Sequence, residues 1–208
     1  MKPGGLIAGA LKVALLALLL SSGALAFEVR HGFLTVIYQD PRDRQQLGGV
    51  FQAWDAAARD LRALGLPPPP TRIEAALSAA DFAARTREPA NIAASTQGAV
   101  IRTQRFTALA RSGLLPFTIR HEAFHTTQPT GIPRWLAEGL ARSFSGEARR
   151  DPPGLTGLAS LSSEALSARL LSRDPVRLAA AYVEATRRAG ALVRARGYRG
   201  ALKAAGIP

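Results

Sequence analysis

The chain has 208 residues, 47% of them apolar and 20% charged, which allows a packed core and excludes an extended polyelectrolyte. Its formal charge is +12, and 24 of its 27 basic residues are arginine. There is no cysteine, which excludes disulfide cross-links, a lipid-modified cysteine anchor and any thiolate metal site.

Residues 1–26 read as a secretory signal. Lys2 and Lys12 supply a basic start, Val13 to Leu20 is an unbroken apolar run, and Ala24-Leu25-Ala26 fits the small-x-small cleavage rule. Ser21-Ser22-Gly23 breaks the helix just ahead of that site, so the expected mature chain starts at Phe27. The competing reading is an uncleaved anchor, because Gly5 to Ala26 is long enough to cross a bilayer with only Lys12 interrupting it. Residues 27–208 then suffice for one domain, expected outside the cytoplasm as a periplasmic, secreted or envelope-associated protein.

The run Phe33 to Tyr38 is rich in β-formers, stops at Asp40-Pro41, and is read as the first strand. Asp43 to Gly65 places Leu47, Val50, Phe51, Trp54, Ala57, Ala58, Leu61 and Leu64 at helical spacing, which predicts a long amphipathic helix with Trp54 in the core. Pro67 to Pro70 is a stiff spacer, too short to separate domains. Arg72 to Leu77 is the second expected strand, and Ser78 caps a short helix through Thr86. Asn91 to Gln97 is a loop or short strand, and Gly98 to Thr103 is a further strand.

The next segment carries the chemistry. His121-Glu122-Ala123-Phe124-His125 falls on a helix that Pro116 can open, with Ser112 as an upstream cap, and that ends before Pro129. Positions i and i+4 stack on one helix face, so the two imidazoles can converge on a single ion. Glu122 lies one step round the helix, where a base can take a proton from water activated by that ion. Pro133 opens a second helix through Ser143, and its Glu138 would supply a third ligand, with Trp135 on the same face packing the two helices together. Two His and one Glu leave zinc one open position, the arrangement of a catalytic site. Only three histidines exist; His31 lies ahead of the first expected strand and is read as an exposed strand-entry residue. Gln128 and Gly131 stand where a metzincin needs Gly and His, which excludes that class. Asp151 to Gly154 is a loop, and Leu158 to Leu171 and Asp174 to Arg196 are expected helices. Strands precede helices, so the expected fold is α+β, with a small N-terminal mixed sheet and a helical C-terminal half.

His121-Glu122-Ala123-Phe124-His125 together with Trp135-Leu136-Ala137-Glu138-Gly139-Leu140-Ala141 resembles the gluzincin metallopeptidases, specifically the small peptidase-MA-like domains related to aminopeptidase N and thermolysin. The close likeness covers roughly residues 118–144. The spacing from His125 to Glu138 is shorter than in the large members, and Ala137 stands where the aminopeptidases usually carry Asn. No Gly-Ala-Met-Glu-Asn-type motif precedes the helix, so an aminopeptidase's amine-anchoring machinery is not implied. The resemblance implies a zincin-like fold over residues 27–208, with an edge strand, here expected at Gly98 to Thr103, above the metal helix and open to an extended peptide. It implies zinc held by His121, His125 and Glu138, with Glu122 as general base. It also implies a tyrosine oxyanion donor downstream of the third ligand, for which Tyr182 is chosen over Tyr38 and Tyr198.

A zinc-dependent peptidase acting on peptide or protein substrates is therefore the leading reading. The alternative is a non-catalytic envelope-binding domain that keeps the zincin fold, and the intact Glu122 favours the enzyme. Past Gly139 there are 12 basic and 5 acidic residues, which fits attraction to an anionic envelope surface or merely solvated helix faces. Nucleic acid is not expected as a partner, because export and the lack of a basic strand interleaved with aromatics argue against it.

Overall fold

The computed structural model describes residues 26–204, so the expected signal sequence, Ala26 excepted, lies outside the described residues. Five strands form one mixed sheet: β1 (Phe27–His31), β2 (Leu34–Tyr38), β3 (Thr71–Ala75), β4 (Ala94–Gln97) and β5 (Val100–Thr103), in the order β1-β2-β3-β5-β4. The three inner strands run parallel, and an antiparallel strand closes each side. Among the described residues seven α-helices accompany them: α1 (Leu47–Ala63), α2 (Ala79–Thr86), α3 (Phe106–Arg111), α4 (Leu115–His125), α5 (Arg134–Ser145), α6 (Ser163–Arg169) and α7 (Pro175–Lys203). The architecture is thus α+β with the helices concentrated in the C-terminal half. None of these helices is long and apolar enough to cross a membrane.

Period-two alternation explains the sheet. Leu34, Val36 and Tyr38 of β2, Ile73 and Ala75 of β3 and Ile101 of β5 are buried on one face, against Val50, Trp54, Ala57 and Leu61 of α1 and Ile119, Ala123 and Phe124 of α4. On Glu74 of β3 converge Arg102 of β5 at 3.3 Å and Arg85 of α2 at 3.1 Å, which ties that short helix across the strands. Ser78 caps α2 as expected, its hydroxyl accepting from the Asp81 N–H. Arg120 of α4 donates to Asp60 of α1 at 3.0 Å, fixing α4 against the core helix.

The structure corrects several sequence expectations. The first strand is β1, not Phe33–Tyr38, and His31 is its last residue, half-buried, stacked on Phe51 and bonded to Asp55 at 2.8 Å. β1 carries no apolar run because it is an edge strand with both faces largely open. The expected edge strand at Gly98–Thr103 lies inside the sheet, between β3 and β4; the edge is β4. Ser112 does not cap α4 but ends α3, and its hydroxyl donates to the α3 carbonyls of Ala108 and Leu109. The Leu158–Leu171 helix shrinks to α6, while α7 runs past Arg196 to Lys203 through a break at Gly197, whose φ of 67° is open to glycine. Trp135 packs between the main core and a second apolar cluster of Leu166, Leu170, Leu178, Ala181 and Ala185, so it joins α5 to α6 and α7.

Gly139 explains itself by packing. A Cβ built there would stand 2.3 Å from the Ala185 carbonyl oxygen and 2.7 Å from the Ala189 Cβ, so α5 and α7 cross in contact at this residue. Gly139→Ala is expected to destabilise the protein by about 1–3 kcal/mol, despite its better helix propensity, because a backbone must move to admit the methyl group. Chemical denaturation of the two proteins checks this; equal or greater stability for the alanine form would contradict the crossing.

Candidate metal centre

α4 begins with Pro116 in its first turn, where a missing N–H costs nothing, and carries His121, Glu122 and His125 to the floor of a cleft of about 740 Å³. α5 crosses above and delivers Glu138. The Nε2 atoms of His121 and His125 face each other at 2.9 Å, and Glu138 Oε2 lies 3.4 Å from the first and 3.6 Å from the second. His121, His125 and Glu138 are the one His/Cys/Asp/Glu group among the described residues with a metal-binding arrangement. His31, in contrast, is engaged with Asp55 and belongs to no such group.

The partners of the outer ring nitrogens decide what the inner ones can do. Gln128 donates its amide N–H to the Ala137 carbonyl at 2.9 Å, so its Oε1 faces His125 Nδ1 at 2.6 Å and must accept from it. Glu147 Oε1 lies 3.1 Å from His121 Nδ1 and accepts in the same way. Both Nδ1 atoms therefore carry the proton, and both Nε2 atoms present lone pairs. Two lone pairs and a carboxylate oxygen converging on one point repel one another unless a cation sits among them. The donor set therefore fits a divalent metal, and its nitrogen-and-oxygen chemistry fits zinc.

Without a metal, protons fill the same role. Burial pushes the His121 imidazole down, but the charges and hydrogen bonds of Glu147 and Glu138 outweigh it and hold the group well above its ordinary range. Burial likewise opposes charge on His125, and Glu138 overcomes it. Glu138 itself is driven up by burial and, more strongly, down by the two imidazoles, so it stays ionised.

Glu147 is the residue that sequence reading missed most completely. A short 3-10 turn, Glu147–Arg150, follows Gly146 at the end of α5 and folds Glu147 back onto His121. Arg142 holds it there, donating to Glu147 Oε2 at 3.0 Å and to Thr186 Oγ1 at 2.9 Å while also pairing with Asp151. The spacing offered no signal, because the carboxylate acts across a turn and not along one helix face. Gln128 was legible only as a residue three past His125.

Glu122 is not part of the ligand group. It is buried, 6% exposed, and its Oε2 accepts a hydrogen bond of 2.6 Å from Thr96 Oγ1 on the edge strand β4. A bond of this length fixes one carboxylate oxygen of a residue that lines the cleft. Thr96→Val keeps the shape and removes the donor. On the expectation that Glu122 is a general base, it should lower turnover about 10-fold, with Thr96→Ser restoring most of it, since the bond would act through orientation of Glu122. Steady-state kinetics of the three proteins settle it: a Val form as active as the wild type contradicts this role.

Tyr182, on α7, lines the same cleft, with the Arg142 guanidinium 5.4 Å above its ring. Burial, and then the charge of Glu138, push its phenol above the ordinary range, so it is a neutral O–H donor at working pH. Compared with models of known protein families, with curated proteins and with solved structures, the chain finds no match.

Proposed function

We propose that the protein is a zinc-dependent peptidase of the gluzincin type, in which residues 27–208 form a zincin-like, peptidase-MA-like domain. The observation that carries this reading is the division of labour on α4. Two imidazoles converge with Glu138 of α5, while the carboxylate between them in sequence stands outside that group, bonded to Thr96 and lining the same cleft. A purely structural metal site has no use for a buried, separately oriented carboxylate beside it. The edge strand supports the same reading: Ala94, Ser95 and Thr96 of β4 line the cleft, and β4 pairs with β5 on one side only. An extended peptide can add to the other side by main-chain hydrogen bonds, giving recognition with little side-chain selectivity.

His121, His125 and Glu138 would hold the zinc, which when bound supplies Lewis acidity toward water and the scissile carbonyl. Glu122 takes the proton from the attacking water and returns it to the departing amine. Thr96 keeps one Glu122 oxygen occupied so that the other does this work. Tyr182 donates its O–H toward the negative charge that develops on the carbonyl oxygen. Tyr182→Phe should lower turnover by about 10²-fold, with a smaller change in KM, because the bond strengthens only as charge develops. An unchanged turnover would remove Tyr182 from the mechanism and leave the rest standing.

The signal-like leader supports an activity exerted outside the cytoplasm, in the periplasm, at the envelope or in the medium. The arginine-rich C-terminal third, with Arg173, Arg177 and Arg196 exposed, would draw it to an anionic envelope surface. Elemental analysis of purified protein tests the metal: one zinc per chain is expected, and a folded chain that takes up none when zinc is supplied would end the proposal.

A further inference from the structure

Arg134 is the first residue of α5 and lines the cleft one helical turn before Glu138. A cation at that end of a helix is disfavoured by the helix dipole, so helix stability does not account for it. Nor does its pairing. Arg134 Nε is buried without a hydrogen-bond partner among the described residues, and Nη2 lies 3.8 Å from Glu138 Oε1, beyond hydrogen-bond reach. The other arginine of the cleft, Arg142, is fully engaged by Glu147, Asp151 and Thr186. Arg134 is therefore the one lining guanidinium with open donors, and its side chain is 38% exposed, so a ligand can reach it.

We propose that Arg134 binds a carboxylate of the substrate, carried by a residue that flanks the cleaved bond. The inference rests on the peptidase reading of the same cleft and adds a substrate class to it. A guanidinium presents a planar fork that matches a carboxylate in two parallel hydrogen bonds, and partial burial strengthens them. The neighbouring Glu138 turns Oε2 toward the two imidazoles and meets Arg134 only through Oε1, in an ion pair too long for a hydrogen bond, so the Arg134 donors stay open to a closer carboxylate. Because Arg134 and Glu138 are adjacent on one helix face, a carboxylate held by Arg134 lies within about one residue of the bond at the metal centre. Two groups have this chemistry: the C-terminal carboxylate of a peptide and an acidic side chain next to the scissile bond.

The zinc-loaded protein is given two pairs of N-blocked peptides. One pair differs as free acid against C-terminal amide; the other, amidated throughout, carries Glu against Gln beside the scissile bond. The wild type should prefer the carboxylate member of one pair by about 10–100-fold in kcat/KM, and the pair that responds identifies the source. Arg134→Met should bring that ratio to about 1, and Arg134→Lys, which keeps the charge but not the fork, should retain a fraction of it. The same ratio is read without turnover by calorimetric binding to zinc-loaded Glu122→Gln protein. A carboxylate preference in binding with no hydrolysis by the wild type would keep Arg134 in this role and remove the peptidase reading. The proposal is overturned by equal treatment of both members of both pairs, by a ratio unchanged in Arg134→Met, or by loss of zinc from Arg134→Met, which would make Arg134 a positioning residue for Glu138.

Discussion

Glu122→Gln is expected to keep the fold and the bound zinc while hydrolysis falls by about 10²–10⁴-fold, the usual contribution of a general base. The substitution preserves size and lets the Thr96 hydroxyl still donate to the side-chain oxygen, so the 2.6 Å contact to β4 survives. What it removes is the ability to take a proton. Glu122 is absent from the group formed by His121, His125 and Glu138, so zinc content should not change. Turnover and metal content measured on the same preparation check both halves. Wild-type rates on a substrate whose cleavage is chelator-sensitive would remove Glu122 from its role; loss of zinc would make it a ligand.

Glu138→Ala should produce the opposite pattern, with zinc lost first and activity lost as a consequence. Among the described residues, Glu138 Oε2 is the one carboxylate oxygen facing both Nε2 atoms, at 3.4 and 3.6 Å, and no other acidic residue of the cleft stands in its place. Its removal should weaken zinc binding by more than the about 10–100-fold that losing an outer-shell partner costs, a loss that Glu147→Ala is expected to show through His121 Nδ1. His31→Ala supplies the contrast. That ring stacks on Phe51 and bonds Asp55, away from the centre, and zinc affinity should be unaltered. Competition titrations with a chelator of known affinity rank the four proteins. Equal affinity in Glu138→Ala and wild type would contradict the ligand set.

The features of the site that local periodicity controls were readable in the chain. Residues four apart on a helix share a face, so His121 and His125 had to meet, and Pro116 and Pro133 marked where the two bearing helices open. The apolar spacing of α1, from Leu47 through Val50 and Trp54 to Leu61, is the buried face that the structure shows. What escaped is set by tertiary pairing. Nothing local tells whether Ala94–Gln97 or Val100–Thr103 is the outer strand, because both are four residues long and half-buried; the β3–β5 parallel pairing puts β4 at the edge. Thr96 consequently reaches Glu122 across 26 residues of sequence, with no pattern to announce it. Glu147 likewise comes back on His121 through a 3-10 turn. β1 was missed because a largely exposed edge strand carries charges where an inner strand carries valines.

Peptide-bond cleavage in this cleft, by a metal held by His121, His125 and Glu138, is tested most directly in one digestion. Metal-free protein, the same protein after zinc is restored to one ion per chain, and the restored protein with excess chelator are each incubated with a mixed peptide library. New peptide termini are then read by mass spectrometry. Cleavage confined to the zinc-restored sample is the predicted result. A zinc-loaded, folded protein that produces no new termini, or cleavage that persists undiminished in the metal-free and chelator-treated samples, would contradict it.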